Sequence, residues 1–71
     1  MTNLEREYFN TFTLERLQQF RKVVSEEQKN GFWRGEGYVK RVWMRPGGKM
    51  ITLLINRRKI DKAIEERLNK N

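Results

Sequence analysis

The sequence predicts an α+β domain: one or two N-terminal helices, an antiparallel β-hairpin and a C-terminal helix. Three observations predict it. Apolar residues recur every three or four positions from Leu14 to Asn30 and again from Ile60 to Leu68, the period of an amphipathic helix. Two runs rich in β-formers, Tyr38 to Arg45 and Met50 to Ile55, flank the turn-like Arg45-Pro46-Gly47-Gly48. The chain, 71 residues with no Cys and no His, has room for one small domain, 1–71, which neither a disulfide nor a Cys/His metal site can staple.

In chain order, Thr2-Asn3-Leu4-Glu5 matches a capping box, in which a hydroxyl and a carboxylate three residues apart each accept an unpaired backbone N–H. The short helix that follows puts Leu4, Tyr8 and Phe12 on one face. Asn10, Thr11 and Thr13 weaken it, and Thr13 suits a second N-cap with Glu15 in the next first turn. The region therefore reads as two helices or as one bent helix. From Leu14 to Asn30 the apolar stripe is Leu14, Leu17, Phe20 or Arg21, and Val24, with Val23 beside it. Gln18, Gln19, Lys22, Glu26 and Lys29 fall on the other side, and Asn30-Gly31 supplies the stop. Phe32-Trp33-Arg34-Gly35-Glu36-Gly37 is a connection whose glycines permit a bulge or positive φ.

The hairpin has two candidate registers. If Arg45 pairs with Gly48, then Tyr38, Val42 and Met44 share a face with Ile51, Leu53 and Ile55, and Trp43 lies outside between arginines. If Arg45 pairs with Lys49 around a three-residue Pro-Gly-Gly loop, Trp43 joins Ile51, Leu53 and Ile55. The second is preferred, because burying Trp removes more apolar area from water. Asn56 is the expected N-cap of a last helix to about Lys70, with Ile60, Ala63, Ile64 and Leu68 as its stripe. Arg57, Arg58 and Lys59 in its first turn oppose the helix dipole at roughly 0.3–1 kcal/mol each. Arg57–Asp61 and Lys62–Glu66 at i,i+4 offset part of this cost. The expected core is Leu17, Phe20, Val24, Ile51, Leu53, Ile55, Ile60 and Ile64.

Composition narrows function. No catalytic residue is nominated: without His and Cys the commonest acid–base and nucleophilic groups are missing, and Ser25 is the only serine. Glu26-Glu27 and Glu65-Glu66 are adjacent pairs, which on a helix diverge rather than form a dyad. No cofactor motif is present, since Gly35-x-Gly37 and Gly47-Gly48 lack the phosphate-loop frameworks. The expectation is a protein that is not an enzyme. No apolar run approaches the roughly 18 residues of a membrane span. The first residues, MTNLEREYFN, have no apolar stretch of the secretory kind, so a cytoplasmic protein without membrane insertion is expected.

The charge is unevenly distributed. Residues 34–62 hold nine basic and two acidic side chains, a net +7, and the flanking segments each sum to zero. Solubility explains the sign of such an excess but not its clustering. The clustering points to a polyanion, with Arg34, Lys40, Arg41, Arg45, Lys49, Arg57, Arg58, Lys59 and Lys62 as nominated nucleic-acid-binding cations. Trp43 joins them as the residue to stack on an unpaired base, worth about 1–3 kcal/mol if exposed, with Tyr38, Trp33 and Phe32 as further rings. The bland reading of each aromatic is core. RNA or a single strand stands ahead of duplex DNA, because aromatics serve unpaired bases.

The alternative is a small inhibitor or adaptor whose basic face docks on an acidic protein surface. The size and charged composition resemble those of small accessory proteins of phages, a resemblance carried by no motif. It implies a host protein or nucleic acid as partner. Two open sheet edges and a small core add the expectation of a homodimer.

Overall fold

The computed structural model describes residues 1–29 and 37–69. The elements are α1 (Asn3–Asn10), α2 (Leu14–Lys29), β1 (Val39–Arg45), β2 (Lys49–Ile55) and α3 (Arg57–Asn69), the expected α+β order. The stop at Asn30-Gly31, Phe32, Trp33, Arg34 and the far end of the last helix at Lys70 lie outside the described residues.

Local chemistry sets the helix ends. Thr2 Oγ1 accepts from Glu5 N at 3.2 Å and Glu5 Oε1 accepts from Thr2 N at 2.9 Å, which completes the capping box. The N-terminal region is two helices: α1 ends as Thr11 N and Phe12 N donate to Tyr8 O and Phe9 O. Thr13 Oγ1 then accepts from Arg16 N at 3.1 Å as the cap of α2. Asn56 Oδ1 accepts from Lys59 N at 2.9 Å and caps α3.

Arg45 pairs with Lys49, the register that turns Trp43 inward. Pro46, Gly47 and Gly48 make the loop, Gly48 N donates to Arg45 O at 3.0 Å, and Gly47 and Gly48 sit at φ +106° and +88°, which side chains rarely adopt. Side chains alternate across the pleat, so Val39, Arg41, Trp43, Ile51, Leu53 and Ile55 face the helices. The helices lie over that face, and the core joins Tyr8, Phe9, Leu17, Val24, Val39, Leu53, Ile55, Ile60 and Ala63. Phe20, Ile51 and Ile64, expected inside, are only partly buried at its margin.

Two departures from the periodic pattern have a common cause. Phe9, unmarked by the Leu4–Tyr8–Phe12 stripe, is among the largest fully buried side chains. Leu68, assigned to the α3 stripe, is 55% exposed. At 3.6 residues per turn Leu68 is rotated by about 80° from Ile60, whereas Arg67 is only about 20° off. Arg67 therefore takes the place on the buried face, and its guanidinium donates to Phe9 O at 3.3 Å.

Glu5 is the one buried charged side chain among the described residues. Its carboxylate holds the capping box and also accepts from Lys59 Nζ, across a sequence separation of 54. Burial pushes its pKa up, but the Lys59 hydrogen bond, the Thr2 N–H and the Lys59 charge together outweigh that and hold it below the usual 4.5. The native state thus binds this proton more weakly than the unfolded chain. The contribution is complete above pH 4.5 and is lost as pH falls through the lowered native value. Thermal melts across this acid range are expected to show a decline that Glu5→Gln makes shallower. An identical acid limb in both proteins would refute the assignment.

Candidate nucleic-acid interface

The nominated cations do not form one surface. Arg41 faces the helices, where its guanidinium donates to Glu27 Oε1 at 2.7 Å and lies 5.7 Å from the Phe20 ring centroid. Arg45 meets Glu7 at 3.0 Å, and that carboxylate raises the arginine's pKa further. Lys59 reaches Glu5 and donates to Leu54 O at 2.8 Å. Its ammonium also lies 5.2 Å from the Tyr38 ring centroid. Arg57 sits 3.9 Å from Asp61, which also pairs with Arg21. Carboxylates of α1, α2 and α3 thus answer four of the nominated cations. The charge that is concentrated along the sequence is partly neutralised across the fold.

Lys40, Lys49, Arg58 and Lys62 are exposed and form no ion pair among the described residues. The expected Lys62–Glu66 pairing gives way to an Arg6–Glu66 contact at 3.2 Å, because α1 lies against α3. Trp43 is half-buried: its ring centroid lies 5.3 Å from that of Tyr8 in an edge-on contact. Tyr8 in turn meets Phe9, Phe12 and Phe20. Trp43 is therefore part of the aromatic packing under the hairpin.

One cleft does gather cations. It is open to solvent and lined by Ser25, Glu26 and Lys29 from the end of α2, Gly37 and Tyr38 before β1, and Asn56, Arg57 and Arg58 at the start of α3. Residues 30–36, with Arg34, join its two walls along the chain and lie outside the described residues. Lys29 and Ser25 were missed as site residues. The signal for Lys29 was its place in the last turn of α2, opposite nothing identifiable in sequence. Tyr38 is 37% exposed at this cleft. Three cations, one carboxylate and the positive end of the α3 dipole meet around a partly open phenol ring. The chemistry of such a lining is that of a receptor for anionic oxygens beside a ring against which a flat group can lie.

Among the described residues no helix is long and apolar enough to cross a membrane, and no group of three or more acidic side chains is placed to hold a metal ion. No protein-family model, curated protein or solved structure matches the chain.

Proposed function

We propose that the protein binds nucleic acid without catalysing a reaction, and that RNA or a single strand enters the cleft at the start of α3. The observation that supports this is the meeting of Lys29, Arg57 and Arg58 around Tyr38, with Glu26 the only carboxylate among the described lining residues. The cations and the first turn of α3 take phosphate oxygens. Tyr38, with Lys59 on its ring, receives an unpaired base. Lys40, Lys49 and Lys62 extend the positive field beyond the cleft and speed encounter more than they select sequence.

Arg58 and Lys29 are the residues to change, because Arg57 already faces Asp61 and a glutamate there would meet a carboxylate. Glutamate at position 58 suits the helix dipole, so α3 is expected to remain intact. A uridine oligonucleotide and a DNA duplex, titrated by fluorescence anisotropy, supply the readout. Lys29→Gln with Arg58→Glu is expected to weaken the single strand by about tenfold or more, and the parent's log affinity to fall with log salt by about 0.7 per phosphate contact. Tyr38→Ala is expected to lose about 1–3 kcal/mol of binding. A folded double variant that binds as well as the parent would overturn the reading.

A further inference from the structure

The hairpin has a second face that no described part of the chain covers. On it Met44 stands opposite Met50, Val42 opposite Thr52 and Lys40 opposite Leu54. Val42, Met44, Met50 and Leu54 are 60%, 63%, 59% and 48% exposed. A single exposed apolar side chain needs no explanation, but four on adjacent positions of one sheet face form a patch. Neither strand contains a carboxylate. The nearby acids Glu27, Glu7 and Glu5 are held by Arg41, Arg45 and Lys59. Arg41 and Arg45 belong to the opposite, helix-facing side of the pleat. Lys49, the partner of Arg45, belongs to that side too. The outer face is thus aliphatic, with Lys40 on it and no negative charge of its own.

We propose that this face docks a protein partner whose contact segment carries aliphatic side chains flanked by carboxylates. The inference does not rest on the nucleic-acid cleft, which is built from other residues. Aliphatic and thioether groups do not suit bases, which stack on aromatic rings. A second copy suits it poorly too. It would bring together two faces that each bear Lys40 and no acid, on chains of net charge +7. An acidic partner meets Lys40 and the positive field of the chain while its aliphatic groups cover the patch, and the two flexible methionines adapt to its shape.

Methyl NMR on the full chain tests this with three synthetic helical peptides. One carries leucines on one face and glutamates around them, one replaces the glutamates by lysines, and one replaces the leucines by serines. The leucine–glutamate peptide is expected to shift the Met44 and Met50 methyl signals and to bind about tenfold tighter than either control. Met44→Ser with Met50→Ser is expected to lose about tenfold of that binding, and Lys40→Glu several-fold, with melting unchanged because all three positions are exposed. Methyl signals that none of the peptides moves, or that the lysine peptide moves equally, would overturn the proposal. So would a free-protein dimer in sedimentation that the double serine variant abolishes, which would assign the face to a second copy. A uridine oligonucleotide that shifts the same methyls would assign it to nucleic acid.

Discussion

A Leu53→Ala protein is expected to be largely unfolded at room temperature. Leu53 is 4% exposed and lies on the helix-facing side of β2, between the side chains of Ile51 and Ile55. Cutting its isobutyl side chain back to a methyl loses the transfer free energy of the removed carbons and leaves a cavity, a combined cost of about 2–5 kcal/mol. A single core in a chain this short rarely supplies more than about 3–5 kcal/mol net, so the loss takes most or all of it. No disulfide limits the unfolded state, as the chain has no Cys. A two-stranded sheet is marginal on its own, so weakening its grip on the helices removes support from both layers. Urea unfolding followed by far-UV circular dichroism checks this. A cooperative transition at the parent midpoint would contradict the packing described here.

Trp43→Ala is expected to be nearly as damaging, at about 3 kcal/mol, the lower end of the range for large aromatic truncations because the ring is only partly buried. It would remove the edge-on contact with Tyr8 and the cross-strand partner of Ile51. Tyr8 is buried, and burial raises its hydroxyl pKa despite the nearby Arg41 and Arg16 cations. Loss of the indole would open that packing to water. The near-UV spectrum and the urea midpoint should both change. Binding of the uridine oligonucleotide, measured where the variant is still folded, should not. The opposite result, unchanged stability with about 1–3 kcal/mol of lost binding, would return Trp43 to the role of an exposed stacking ring.

Much of the candidate site could be read in part only. The excess charge between residues 34 and 62 is real, yet its cations divide between ion pairs and solvent. Arg41 pairs with Glu27 at a separation of 14 residues, Arg45 with Glu7 at 38 and Lys59 with Glu5 at 54. No spacing rule reaches that far. The charge run therefore marked candidates without saying which of them were free to meet a ligand. The outer aliphatic face was also hidden, because it depends on the register: Val42 and Met44 share the core side in one pairing and face outward in the other.

What the sequence determined by itself is the set of elements and their ends. The Thr2–Glu5 box, the Thr13 and Asn56 caps and the Pro46-Gly47-Gly48 turn each act within about one turn of chain, where covalent connectivity alone brings the groups together. The alternation of apolar residues in β1 and β2 likewise set which faces were possible. Only the tertiary structure decided which face was covered, that Arg67 rather than Leu68 lies over Phe9, and which carboxylate each long cationic side chain meets. Those outcomes depend on how helices and hairpin stack in space. A long flexible side chain pairs with whatever that stacking places within its reach, and neighbours in sequence have no privilege there.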